Sequence, residues 1–181
     1  MRKFWVCLCL LVSLAIPSAC SAGLSDYPTV AVIPFVNQVT TRNLSEGDLE
    51  SVRSIVDTGL VQSGYFSMVE RARVDALLGE IEFGMSGLVD PGTAAKFGKM
   101  LGAQYVVIGS ITGFGADPKH RGNHMVKVSA RMVEVETARI ALAGRGTGSA
   151  KAVSDALEAA ADDVVEGKKG MLMMLRGGRG K

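Results

Sequence analysis

The chain has 181 residues, 48% of them hydrophobic, which is enough for one domain with a real core and too short for several. Its 20 basic and 18 acidic side chains nearly balance, so charge makes no case for a nucleic-acid partner. Only three cysteines are present, which excludes a disulfide framework.

The N-terminus reads as an export signal. Arg2 and Lys3 precede an apolar run from Phe4 to Ile16, and small residues follow. The run is too short to span a bilayer as a helix. Cys7 and Cys9 lie within it, while Cys20 closes it. Pro17-Ser18-Ala19-Cys20 resembles a bacterial lipobox, with Pro17 where leucine is usual. That resemblance implies cleavage after residue 19 and lipid on Cys20. Ser21 in the next position resembles the signal for transfer to the outer membrane. Cleavage near Ser21 or Ala22, with Cys20 discarded, is the alternative. Without residues 1–19 the chain keeps 18 basic and 18 acidic side chains, a formal charge of zero.

Residues 20–28 read as a polar tether. Thr29 to Phe35 reads as a first strand, apolar throughout, with Pro34 near its end. Val36 to Leu44 reads as a polar loop. Ser45 and Asp48 form a capping-box pattern that opens a helix with Leu49, Val52, Ile55, Val56 and Leu60 on one face and Gly64 as its stop. Tyr65 to Val69 is a short strand. A second helix is expected from Arg71 to Glu82, inward at Val74, Leu77, Leu78 and Ile81, with Gly84 and Gly87 after it. Asp90-Pro91 starts a third short helix that carries Ala94, Ala95, Phe97, Met100 and Leu101, with Gly102 closing it.

Tyr105 to Ile111 then forms a strand with no polar alternation at its start, as expected of a strand covered on both faces. Thr112 to Asn123 is glycine-rich and reads as loop or frayed hairpin. His124 to Glu136 is a long strand whose doublet Met132-Val133 suggests a bulge. Thr137-Ala138 is a tight turn, and Arg139 to Ser149 returns as a glycine-rich strand. A last helix covers Lys151 to Glu166, with Val153, Ala156, Leu157, Ala160 and Val164 inward. Residues 167–181 form a basic, glycine-rich tail around a Met171–Leu175 patch, either extending the helix or fraying. The element order predicts an α/β fold: a three-layer domain at 29–166 whose mixed sheet of about five strands is flanked by helices.

Chemistry-bearing patterns are few. Gly144-Arg145-Gly146-Thr147-Gly148-Ser149 invites a phosphate-loop reading, but Ser149 stands at the third glycine position and no Gly-Lys-Ser/Thr is present. A glycine-rich edge strand is the simpler reading. His120 and His124 are the only histidines, with Gly122 and Asn123 between them, and read as loop residues rather than metal ligands. Glu70, Arg71, Arg73 and Asp75 read as helix-start charges or a structural ion pair, with a catalytic carboxylate as the alternative. No serine or cysteine sits in a nucleophile context. No catalytic residue, cofactor or metal is therefore expected.

Six segments carry a family resemblance: Val30–Phe35, Leu60–Phe66, Val69–Arg71, Ser86–Asp90, Leu101–Ile111 and Val133–Thr137. Together they resemble the CsgG-like lipoprotein family, named for the curli-secretion channel and similar to lipoproteins that activate peptidoglycan synthases and to the N-terminal domain of TolB-like proteins. The resemblance implies a periplasmic domain tethered to the outer membrane by lipid on Cys20. It implies function through contacts with other envelope proteins, homo-oligomers among them, and no nucleic acid. The expected contact loop is Asn37, Gln38, Thr40, Arg42 and Asn43. A subunit of a curli-type secretion channel is the alternative. Against it, the connections that would carry pore hairpins are short, and the loop after the first strand lacks aromatics.

Overall fold

The structure is a computed structural model that describes residues 27–40, 44–80 and 89–178. The expected export signal, Cys20 and most of the expected tether lie outside those residues. So do Arg42, Asn43, Ile81, Gly84 and Gly87.

Strands β1 (Thr29–Val32), β2 (Val36–Asn37), β3 (Ser67–Met68), β4 (Tyr105–Ala116), β5 (His124–Glu134) and β6 (Ile140–Ala150) form one sheet in the order β3-β1-β4-β5-β6, with β2 also paired to β4. The β3, β1, β2 and β4 pairings are parallel; β5 and β6 are antiparallel. Helices α1 (Glu46–Gln62), α2 (Arg71–Glu80), α3 (Pro91–Leu101), α4 (Val153–Glu166) and α5 (Met171–Gly178) complete the α/β domain.

Two cores sandwich the sheet. On one face, Val30, Val32, Val107 and Ile111 meet Val52, Val56 and Leu60 of α1 and Leu157, Ala161 and Val164 of α4. On the other, Ala31, Ile33, Val106 and Ile108 meet Val74 of α2 and Ala94, Phe97 and Leu101 of α3. This explains why β1 and the start of β4 lack polar alternation. Each fully buried Val or Ile contributes roughly 1.5–3 kcal/mol, so the pair of strands carries a large share of the stability.

The helix ends follow their sequence signals. Ser45 Oγ accepts the Asp48 amide at 3.1 Å while Asp48 Oδ2 accepts the Ser45 amide at 2.9 Å. Such caps contribute about 0.5–2 kcal/mol. Asp90 Oδ2 accepts the Thr93 amide at 2.9 Å, and Pro91 occupies the first turn, where its missing N–H costs nothing. Gly102 closes α3 with φ +69°, a conformation that side chains with a Cβ resist.

Four expectations change or are narrowed. The first strand ends at Val32, and Val36–Asn37, expected to open a loop, pairs with Ser110 and Ile111 instead. Phe35, between them, turns inward onto Gly109, where an added Cβ would lie 2.1 Å from the ring. Of the two readings of Thr112 to Asn123, the hairpin holds: Gly113 to Ala116 stay paired with His124 to Lys127 past a shift in register. The irregularity at Met132-Val133 is present, but the extra residue is Ala141 on β6. Those two side chains are simply on opposite faces, both covered at that point. Met100, on α3, is 57% exposed. Finally, the patch at the start of the expected tail is helical, and Met171 and Leu172 are fully buried against the first core.

The glycine-rich strand has a packing explanation. Gly144, Gly146 and Gly148 all face α4, and an added Cβ would lie 2.4, 1.9 and 1.9 Å from the carbonyl oxygens of Val164, Ala160 and Ala156 respectively. The helix backbone rests directly on the strand. The outer edge of β6 is also covered: the Arg145 amide donates to the Lys169 carbonyl at 3.1 Å, and the Thr147 amide to Asp163 Oδ2 at 2.9 Å. Replacing Gly146→Ala must push α4 off the sheet, and overpacking of this kind costs about 1–3 kcal/mol or more. Urea unfolding should show that loss, and a variant as stable as the parent would disprove the close approach.

Candidate functional site

In open α/β sheets the crevice forms at the carboxyl ends of parallel strands where the chain changes direction across the sheet. Here that point lies between β1 and β4. From β1 the chain passes through α1 to β3 on one side, then through α2 and α3 to β4 on the other. Pro34, Phe35, Val36, Asn37, Leu49 and Glu50 line a mostly apolar cavity of about 710 Å³ at this place. Of the expected contact loop, Asn37 lies in β2 and half-buried, and its Oδ1 accepts the Val39 amide at 2.9 Å. Gln38 and Thr40, which follow Asn37 in the chain, are exposed. The loop is therefore shorter and more ordered at its start than its composition suggests.

Beneath the crevice lies an ion cluster that sequence reasoning missed. Arg53 of α1 is only 2% exposed. Its Nε donates to the Val32 carbonyl at 3.1 Å, and its Nη1 donates to Asp75 Oδ1 at 2.7 Å and Glu50 Oε2 at 3.5 Å. Arg71 Nη1 lies 2.6 Å from Glu50 Oε1. One guanidinium thus ties α1 to the last carbonyl of β1 and to α2. The planar fork suits arginine and not lysine. Asp57, half-buried on the same helix, has its pKa raised by burial; Arg71 and Arg53 pull it down and Glu50 pushes it up. The signal for Arg53 was its place among Leu49, Val52 and Val56, with Glu50 and Asp57 three residues before and four after it.

The other singled-out residues do not converge here. Asp75 and Arg71 serve the ion cluster, as a structural pairing would have them. At the hairpin tip His120 Nδ1 lies 2.9 Å from Asp117 Oδ2, while His124 stacks on Phe114 with ring centroids 5.5 Å apart. The Asp117 carboxyl is held far below the usual range, first by the Ser149 hydroxyl, then by His120 and the Lys119 amide. Among the described residues no three His, Cys, Asp or Glu side chains are grouped to hold a metal, and no helix is long and apolar enough to cross a membrane.

The sequence profile of the curli production assembly/transport component CsgG matches residues 24–167. The chain belongs to that family. No curated protein sequence matches it significantly. Among solved structures it is similar to the lipoprotein GNA1162 from Neisseria meningitidis, with 16% identity, 83% of this chain and 94% of that one covered, and a TM-score of 0.53. It is also similar to a subunit of the PelC dodecamer from Paraburkholderia phytofirmans, with 15% identity, 80% and 89% covered, and a TM-score of 0.51. At these identities the likeness establishes a shared fold.

Two predictions come from the ion cluster. Arg53→Met should lower stability by about 1–3 kcal/mol, because it strips the hydrogen-bond partner from a buried carbonyl. A denaturation midpoint equal to the parent's would show the cluster to be energetically idle. Asp57→Asn should stabilise at neutral pH. A raised folded-state pKa means the charged form is penalised on folding, and that penalty develops as pH rises from the ordinary carboxylate range through the raised value. The gain should therefore vanish in acid, where the carboxyl is protonated both folded and unfolded. A gain that persists unchanged there would refute the assignment.

Proposed function

We propose that this protein is a periplasmic lipoprotein, held at the outer membrane by lipid on Cys20. It works as an assembly factor for other envelope proteins and has no catalysis of its own. The observation that carries this reading is the family match over residues 24–167, which spans nearly all of the chain beyond the export signal. The shared fold with a solved lipoprotein supports it. The contact surface in this reading is the rim of the switch-point crevice, with Gln38 and Thr40 presented to the partner and Asn37 fixing the loop's departure from the sheet.

Self-assembly is the second reading, supported by the fold shared with a dodecameric protein. As a curli-type channel subunit the chain would need strands of its own to enter the membrane, each about 9–11 residues long. The β4–β5 connection is instead closed locally: the Asp117 amide donates to the Asn123 carbonyl at 2.9 Å and the Asn123 amide to the His120 carbonyl at 3.0 Å. The β5–β6 turn is closed as well, by the Glu134 amide on the Arg139 carbonyl at 2.8 Å.

Expression of the full chain and its Cys20→Ser variant in a bacterial envelope, followed by fractionation and mass measurement, tests the anchor. The parent should carry lipid and sediment with outer membrane, and the variant should do neither. A variant that still sediments there would overturn the anchor. A photo-crosslinking residue at Gln38 tests the surface: it should capture an envelope protein, while one at Met100, exposed on α3, should not. Equal labelling at both positions would remove the crevice rim from consideration.

A further inference from the structure

The sheet is not covered evenly. On the face away from α1 and α4, α2 and α3 reach β1, the start of β4 and Val133 near the end of β5. Beyond them on that face Ser110 is buried, Ser129 and Arg131 are half-buried, and Lys127, Arg145 and Thr147 are exposed. Strand alternation places Lys127, Ser129 and Arg131 of β5 there, since Val126, Val128, Ala130 and Met132 point into the first core. It places Arg145 and Thr147 of β6 there too, since Gly144, Gly146 and Gly148 point at α4.

The register assembles these residues. Ser129 stands opposite Arg145 and Lys127 opposite Thr147, while Arg131 stands opposite Ala143. Arg145 is thus the diagonal neighbour of both Lys127 and Arg131, at separations of about 7–8 Å between backbones. Thr112, Lys127, Ser129, Arg145 and Thr147 line a concavity of about 290 Å³. No Asp or Glu stands among the residues this face presents from Ile108 to Gly115, Met125 to Arg131 or Ala143 to Ser149. Among the described residues none of the three cations has an ion-pair partner. Asp117, at the hairpin tip, is engaged by Ser149, His120 and the Lys119 amide. Elsewhere the domain neutralises its crowded cations, as Glu50 and Asp75 do for Arg71 and Arg53.

We propose that this open sheet face is a binding site for a phosphoryl group, with Lys127, Arg131 and Arg145 supplying charge and Thr112, Ser129 and Thr147 supplying hydroxyl donors. Lys127 and Arg145 line the hollow and Arg131 lies beyond it on the same face, so a multiply charged oxyanion there relieves the repulsion among like charges. The guanidinium forks match phosphate oxygens two at a time, and hydroxyl donors can serve the remaining lone pairs. The hollow admits a headgroup-sized ligand, and most of the side chains that line it are polar or charged. Whether the phosphoryl group is free in solution or carried on a lipid headgroup, the chemistry recognised is the same.

The test uses the full chain carrying Cys20→Ser, so that an anchor does not contribute. Inorganic phosphate is titrated by calorimetry, with chloride at equal ionic strength as control. In parallel, sedimentation with phosphatidylcholine vesicles is compared with and without phosphatidylglycerol. Lys127→Gln/Arg145→Gln is the test variant and Lys99→Gln, on exposed α3 surface, the control. Circular dichroism confirms that each is folded. The expected result is saturable phosphate binding, or binding to vesicles only when they carry phosphatidylglycerol, weakened about tenfold or more by the double variant and unchanged by Lys99→Gln. The first outcome identifies a free phosphate and the second a lipid headgroup. Binding in neither arm, or binding that the double variant leaves intact, overturns the proposal. So does salt-sensitive self-association lost in the double variant without phosphate binding, which would make the exposed acidic residues of α4 in a second copy the counter-charge instead.

Discussion

β4 is hydrogen-bonded along both edges, and the parallel and antiparallel halves of the sheet meet on it. Val106, Val107, Ile108 and Ile111 feed both cores from this one strand. A central strand of this kind has no tolerance for register error, because a slip of one residue would exchange the two faces. The rest of the architecture follows from it. β1 and β2 share its parallel edge in succession, and Phe35 occupies the break between them over Gly109. The crevice at the switch point exists because two short strands, not one long one, run beside β4.

The fold was legible wherever a local signal coincided with burial. Ser45, Asp48, Asp90, Pro91 and Gly102 each stand where their chemistry is needed, and the apolar runs at Val30 and Tyr105 reported coverage on both faces. What was not legible depends on partners distant in sequence. Glycines 113 and 115 read as loop or frayed hairpin, and pairing with β5 keeps them in strand. Val36 gives no sign that Ser110 waits across the gap. The doublet Met132-Val133 carried the correct position of an irregularity for the wrong reason, since the extra residue lies on the neighbouring strand.

The candidate site was visible in outline only. The expected contact loop follows the first strand, and Asn37 at its start lines the crevice at the switch point. Arg53 escaped because a charged residue inside an apolar helical face reads as a boundary residue until two of its acceptors, the Val32 carbonyl and Asp75, come from other elements. The basic sheet face escaped for a similar reason. Lys127 and Arg131 read as ordinary solvent-side alternation on one strand, and Arg145 as part of a glycine motif on another. Only the register that sets Ser129 against Arg145 turns them into one patch. The glycine motif itself was a packing device for α4 and not a phosphate loop, although the residues between its glycines face the proposed oxyanion site.

The covering of the β6 edge bears on how this molecule can meet its own kind. An unpaired edge is a template on which another chain can add a strand, and that route leads to indefinite fibres as readily as to closed assemblies. Here the amides of Arg145 and Thr147 already serve Lys169 and Asp163. Backbone templating at the centre of this edge would first have to undo both bonds. Association between copies is thereby diverted to side-chain surfaces, where fit and charge can select geometry and where growth can be made to stop.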